Sequence, residues 1–294
     1  MKVISWNILH GQPLSPPTVP PSPEVAHSSL HKVSTQLSSI GCEILGIQEV
    51  DDRQVRSGDI SQTTAIAQAM GATHWAYAPT LIGTPGEKWR ALNSSDEGIC
   101  VGRENAVSAS QSKSTSGPSE PREPSEPSYG VGLISKIPVT AWHRLDLGRS
   151  RIGLPLAIPA GDGSQRSLRF IYVRDEPRVA LAAELENGFT VVVTHLSFVP
   201  FVNYFQLIKI RRWLRNIPGV HILLGDLNLG WSLPVRGTHW RSLVEKNTYP
   251  SWGAKIQFDY ITAHIPHFGE RSVSVLDIPD LGISDHLPIG VEIH

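Results

Sequence analysis

The chain has 294 residues with 26 Lys and Arg against 27 Asp and Glu, a formal net charge of −1, and is 40% hydrophobic and 18% charged. That balance disfavours the diffuse cationic face of a sequence-independent duplex binder, and the low charged fraction excludes a disordered or coiled-coil chain. Two cysteines, Cys42 and Cys100, in no Cys-x-x-Cys spacing suggest neither a disulfide framework nor a zinc ribbon and read as buried thiols.

Residues 3–6 form the first apolar, β-branched run of strand length, and a Pro/Ser-rich stretch without core character follows at 13–23. Leu30, Val33, Leu37 and Ile40 then keep a helical period from about Glu24, with Gly41 placed as a C-terminal cap. A strand is predicted over 43–47. Residues 104–128, almost all Ser, Pro, Glu, Lys and Arg, cannot bury enough apolar surface to offset their ordering entropy and predict a disordered loop. Strand-like runs continue at 130–134, 168–173 and 189–194. A second helix is predicted through Phe201, Phe205, Ile208, Trp213 and Leu214, with Lys209, Arg211, Arg212 and Arg215 exposed. Strands at 220–224, 258–262 and 287–293 complete the order. Related chemistry lies on both sides of 104–128, so residues 1–294 are expected to form one domain with that loop inside it. No signal-like or membrane-spanning apolar stretch occurs, and a cytoplasmic monomer is the expectation.

Polar residues gather where these strands end. Asn7 closes the first, Gln48-Glu49 the second, Thr194-His195 that of Val191-Val192-Val193, and Gly225-Asp226-Leu227-Asn228 that of Ile222-Leu223-Leu224; Asp285-His286 opens the last. Alone, Asn7 or Asp226 is more often a turn or cap residue, and His195 a satisfied structural histidine. Their joint occurrence at five strand ends is what points to a site on one rim of stacked sheets.

The order of these motifs resembles the endonuclease/exonuclease/phosphatase superfamily. The resemblance rests on Ser5-Trp6-Asn7-Ile8, Ile47-Gln48-Glu49-Val50, the run from Tyr129 to Val139, Thr194-His195-Leu196-Ser197, Gly225-Asp226-Leu227-Asn228, Phe258-Asp259-Tyr260-Ile261 and Ser284-Asp285-His286-Leu287-Pro288. It implies a four-layer α/β/β/α sandwich of two mixed sheets flanked by helices, as in deoxyribonuclease, and hydrolysis of a phosphoester by direct water attack. By the same resemblance Glu49 is the principal metal carboxylate, with Asn7 and Asp285 completing the metal's shell. Asp226 orients or deprotonates water, and Asn228 holds a phosphate oxygen or that water. His286, oriented by Asp259, and His195 donate to phosphoryl oxygens, and Arg178 binds the phosphate.

Physical chemistry agrees with that allocation. Glu49, Asp226, Asp259 and Asp285 in one cleft repel one another unless protons or a cation neutralise them. An oxygen-only ligand set points to Mg²⁺ or Mn²⁺. A calcineurin-like metallophosphatase shares the Gly-Asp segment but requires Asp-x-His and Gly-Asn-His tripeptides that are absent. A catalytically silent binding module on the same fold would be expected to have lost Glu49, Asp226 or His286. The substrate stays open between nucleic acid, a phospholipid such as sphingomyelin, and a small phosphorylated molecule. His195 disfavours abasic-site repair, where relatives commonly carry Tyr. Phe198, Val199, Phe201 and Val202 offer either a lipid-docking surface or, the favoured reading, ordinary helix-start packing. Trp89 and Trp252 lie in loops that could stack on a base or sugar, and His10 either lines the cleft or faces solvent.

Overall fold

The computed structural model describes residues 1–13, 23–103, 126–160 and 167–294. In chain order the elements are β1 (Lys2–Asn7), α1 (Pro23–Ser39), β2 (Ile44–Asp52), α2 (Gln62–Met70), β3 (His74–Gly83), β4 (Trp89–Ala91), β5 (Cys100–Arg103) and β6 (Ser128–Ser135). They continue with β7 (Val139–Gly148), β8 (Leu154–Ala160), β9 (Ser167–Val173), β10 (Arg178–Leu185), β11 (Phe189–His195), α3 (Val202–Leu214) and β12 (Val220–Asp226). β13 (Trp240–Ser242), β14 (Asp259–His264), α4 (Ile265–Phe268), β15 (Val273–Val275) and β16 (Ile289–Ile293) end the chain.

One mixed sheet runs β15-β16-β1-β2-β6-β3-β4 with β5 also on β3, and the second runs β13-β14-β12-β11-β10-β7. Each contains one parallel neighbour pair joined by a crossover helix, β1-α1-β2 and β11-α3-β12, the connection that parallel strands require. Val3, Ile44, Val131 and Leu133 of the first sheet pack on Leu181, Val193, Leu224 and Ile261 of the second. Leu30, Val33, Leu37 and Ile66 of α1 and α2 cover the outer face of the first sheet, and Leu207, Ile210 and Leu214 of α3 cover that of the second. The expected four layers are therefore present. Gly46 lies at their centre: a Cβ there would stand 1.9 Å from Leu224 Cδ1, so its missing side chain sets how closely the sheets meet.

Several expectations are corrected. The strand predicted at 43–47 continues to Asp52 through a register shift between Ile47 and Val50, so Glu49 sits in a β-bulge and does not end the strand. The run at 168–173 belongs to β9, which among the described residues pairs with β8 alone, apart from the two main sheets. The helix near 201–214 forms, but its buried face is Asn203, Gln206, Leu207, Ile210 and Leu214. Phe201 and Phe205 are 77% and 67% exposed, because Asn203 and Gln206 hydrogen-bond to the loops beneath and claim that side. Arg211, expected to be exposed, lies partly buried over the Trp240 ring. Cys42 is buried, whereas Cys100 is only half-buried. Within the predicted loop, residues 104–125 lie outside the described residues, but Glu126 pairs with Arg90 and Ser128 opens β6, its hydroxyl 3.0 Å from that of Tyr77. Of the Pro/Ser-rich stretch, Pro13 bridges to Ile283, 14–22 lie outside the described residues, and Pro23 begins α1. Among the described residues no helix is long and apolar enough to cross a membrane.

Candidate active site

The two crossover units aim the C-terminal ends of β1, β2, β11 and β12 at the same rim. The first sheet contributes Asn7 and Glu49, and the second contributes His195 and Asp226. Asn7 joins them: its Nδ2 donates to Glu49 Oε1 at 2.9 Å and to Asp226 Oδ2 at 3.2 Å, while its Oδ1 accepts from the Leu9 N–H at 3.1 Å. The amide thus separates two carboxylates that belong to different sheets. Asp259 lies directly opposite Asp226 on the antiparallel strand. Asp285 and His286 reach the rim from the loop before β16, which is fastened by Trp6 Nε1 to the His286 carbonyl at 2.8 Å and Ser284 Oγ to the Asn7 carbonyl at 2.6 Å.

Glu49 (φ 57°), Asn228 (φ 48°), Ser284 (φ 70°) and His10 (φ 45°) hold left-handed backbone at this rim without being glycine. Such conformations cost of order 1 kcal/mol each and collect where side chains must be aimed. At Asn228 the neighbours explain the hold. Its N–H donates to Asp226 Oδ1 at 2.9 Å, its Nδ2 to the Leu196 carbonyl at 3.0 Å, and its own carbonyl accepts from Asn203 Nδ2 at 2.8 Å.

His286 Nδ1 lies 2.8 Å from Asp259 Oδ2, and its Nε2 lies 3.7 Å from Asp226 Oδ2. Burial opposes the imidazolium, but Asp259 and Asp226 outweigh it and raise His286 to about 10. His195 Nε2 is 3.4 Å from the same Asp226 oxygen and 3.2 Å from Asn228 Nδ2; burial, with Arg178 and His286 nearby, drives it well below its ordinary value. Burial likewise raises Asp226 to about 7, with His286 opposing and Asp259 adding to the shift. One imidazole is therefore held charged and the other neutral on either side of one carboxylate.

Arg178, at the start of β10, is 6% exposed and its Nε has no hydrogen-bond partner among the described residues. Its guanidinium lies 3.6 Å from buried Asp175, whose other oxygen accepts from Ser197 Oγ at 2.8 Å and from the Ser150 N–H at 2.6 Å. All the predicted side chains except Asn7 and Asp259 line one cleft of about 490 Å³, and those two stand immediately behind it. The cleft also takes in His10, Phe198, Tyr129, Glu176 and Arg56. Tyr249 lines it as well, its ring centred 5.0 Å from that of His286. Trp252, expected in a loop that could stack on a base or sugar, is 65% exposed. Glu176 and Arg56 carried no motif signal.

The donor set accommodates a divalent cation. Asp285 Oδ1 and Asp259 Oδ1 are buried without a hydrogen-bond partner, and burial raises Asp285 above the usual carboxylate range, with His286 opposing and Glu49 adding. Ligand atoms of Asp226, Asp259 and His286 lie within 4.8 Å of one another. Carboxylates this crowded are stable only when a cation or protons neutralise them.

The family model described as Endonuclease/Exonuclease/phosphatase family matches residues 4–286. No curated protein matches the chain. Among solved structures, an endonuclease/exonuclease/phosphatase family protein from Leptotrichia buccalis C-1013-b is 13% identical with a TM-score of 0.56, covering 100% of this chain and 99% of its own. The Bacteroides thetaiotaomicron mannosyl-6-phosphatase Bt3783 gives 12% and 0.55 with the same coverage. A humanized D. rerio TDP2 gives 12% and 0.54, covering 100% of this chain and 98% of its own. With the family match spanning nearly the whole sequence and the fold and Asp/His cluster in place, the chain belongs to the endonuclease/exonuclease/phosphatase family of phosphoesterases.

Proposed function

We propose that the chain is a Mg²⁺-dependent phosphodiesterase, with Mn²⁺ able to substitute, in which water attacks phosphorus directly. The observation that carries this reading is Asp226 set between His286 Nε2 at 3.7 Å and His195 Nε2 at 3.4 Å, in one cleft with Glu49 and Asp285. Asp226, lifted toward neutrality by burial, orients the water and accepts its proton. His286, kept as imidazolium by Asp259, donates to a phosphoryl oxygen as charge develops there. His195 and Asn228 donate to a second oxygen without adding charge, and Arg178 anchors the substrate phosphate. Glu49 and Asp285 would hold the cation, and Asn7 fixes Glu49 against Asp226. When bound, the cation neutralises these carboxylates and polarises the phosphoryl group. No covalent enzyme intermediate is involved.

A second basic recess supports a nucleic-acid substrate. Lys88, Arg149 and Arg174 line it together with Trp89 and Glu87, beside Arg90, which is paired with Asp96 and Glu126; it shares Val173 and Glu176 with the main cleft, and Arg149 lies 5.2 Å over the Trp89 ring. Cations interleaved with an aromatic ring suit a phosphate backbone and its bases. The exposed aromatics Phe201 and Phe205 at the start of α3, three and seven residues after the cleft residue Phe198, favour a phospholipid diester as the second reading. A phosphomonoesterase is the third, since the mannosyl-6-phosphatase shares the fold. Two free thiols suit the reducing cytoplasm in which we place the chain, as a monomer of one domain.

The test is a panel of single- and double-stranded DNA, RNA, sphingomyelin vesicles, a sugar 6-phosphate and a generic diester, with Mg²⁺, Mn²⁺ or EDTA. Cation-dependent turnover of single-stranded nucleic acid above the other substrates is expected. Preference for lipid or for the monoester overturns the substrate assignment, and equal activity in EDTA overturns the cation role.

A further inference from the structure

β12 and β14 run antiparallel with Asp226 opposite Asp259 at the catalytic rim. Five residues back along each strand, roughly 16 Å away, the same pair of strands carries His221 and His264. His267, on the four-residue helix α4 that follows β14 directly, closes the group. The three imidazoles offer nitrogen atoms that all lie within 4.8 Å of one another, with the His264 and His267 ring centroids 4.6 Å apart and those of His221 and His267 5.2 Å apart.

Three further observations give this cluster direction. His221 Nε2 lies 2.7 Å from the Ile217 carbonyl, which accepts its proton and leaves the lone pair on Nδ1. A ligating histidine is commonly oriented in this way, by a hydrogen bond from its other nitrogen. His264 Nδ1 is buried and has no hydrogen-bond partner among the described residues, an arrangement that satisfied core histidines avoid. The recess around the cluster, about 330 Å³, is lined by His239, Arg211, Arg212 and Arg215 among others, and by no Asp or Glu. A site without oxygen anions rejects Mg²⁺ and Ca²⁺ and selects a cation that prefers imidazole.

We propose that His221, His264 and His267 form a Zn²⁺ site on the opposite end of the second sheet from the catalytic cleft, fastening α4 to β12. Zn–N bonds of about 2.0–2.1 Å bring tetrahedral ligand atoms to roughly 3.4 Å from one another. The exposed His267, on a single helical turn, is the residue free to close that gap. An anion or water fills the fourth position, and an anion there also offsets the arginines of the recess. The site is independent of the phosphoester reading.

The test is calorimetric titration of the full chain with Zn²⁺ in excess Mg²⁺, alongside Co²⁺ absorption spectra. Wild type should take one equivalent more than the His264→Ala/His267→Ala variant and show a tetrahedral Co²⁺ spectrum that the variant lacks. Glu49→Gln, altered only in the catalytic cleft, should keep that equivalent. Mg²⁺-dependent turnover of the double variant should equal wild type, which also reports that it folds; if it does not fold, the single exposed His267→Ala replaces it in the same comparison. Equal stoichiometry and equal Co²⁺ spectra in wild type and the histidine variant overturn the proposal.

Discussion

Gly46→Ala tests whether the spacing of the two sheets sets the geometry of the active site. The added methyl would lie 1.9 Å from Leu224 Cδ1, 3.1 Å from Val193 Cγ2 and 3.2 Å from Val193 Cβ, and both neighbours are fully buried. Relief requires Leu224 to leave its rotamer or the sheets to part, and overpacking of this kind costs about 1–3 kcal/mol. Gly46 lies three residues before Glu49 on β2, and Leu224 two before Asp226 on β12, so separation of the sheets moves the two carboxylates apart. A displacement near 1 Å can lower turnover by about 10²-fold. Leu224→Ala alone should cost about 2–5 kcal/mol through its cavity. In the Gly46→Ala/Leu224→Ala double variant the new methyl partly fills that cavity, so the loss should fall short of the summed single losses by about 1 kcal/mol or more. Urea unfolding followed by far-UV circular dichroism, with kcat at saturating Mg²⁺, reads both quantities. Additivity of the single variants, or wild-type kcat in a destabilised Gly46→Ala protein, would refute the link between sheet spacing and catalysis.

Other consequences are simpler to measure. Glu49→Ala and His286→Ala should each lower kcat by roughly 10² to 10⁴ with little change in the circular dichroism spectrum; full activity in either removes that residue from the mechanism. Arg56 makes two hydrogen bonds of 2.8 and 2.7 Å to the fully buried Asp51, so Arg56→Ala should destabilise the fold by about 3 kcal/mol by stranding that carboxylate. Asp51→Asn in the same chain should restore part of the loss, and unchanged urea midpoints in both variants would count against the pair. Burial pushes the Cys42 thiol up to about 12, leaving roughly one part in ten thousand as thiolate at pH 8. Cys42 should therefore resist a thiol-specific reagent until the chain is unfolded, and rapid labelling of the native protein would contradict its packing.

The rim residues were legible because each sits at a break between an apolar strand and a polar turn, a pattern visible without coordinates. Strands that do not read as simple apolar runs were missed. β3 contains Pro79, accommodated at a register shift between Pro79 and Leu81. β7 pairs only with β10 at the edge of its sheet and carries Arg144 and Asp146. The face of α3 was misread for a physical reason. Asn203 and Gln206 are buried because they satisfy the Asn228 carbonyl and the Ser197 N–H, and hydrophobic periodicity gives such polar anchors no weight. The histidines at the far end of β12 and β14 are scattered over 47 positions of sequence, from His221 to His267, and the pairing of β12 with β14, with α4 following directly, brings them together.

The bulge in β2 ties two properties to one inserted residue. Ile47 faces Gly132 across the ladder while Val50 faces Gly130, so β2 carries one residue more than its partner between those points. Without it, the alternation of inward and outward side chains beyond the bulge would invert. Val50 and Asp51, both fully buried now, would exchange faces, and Glu49 would lose the backbone that turns it into the cleft. Substitution and deletion at this point therefore have different meanings. Replacing Glu49 by Gln changes the chemistry and leaves the strand in phase, whereas deleting one residue at 48 or 49 shifts the phase of the strand's outer half. This short segment should tolerate changes of side chain far better than changes of length.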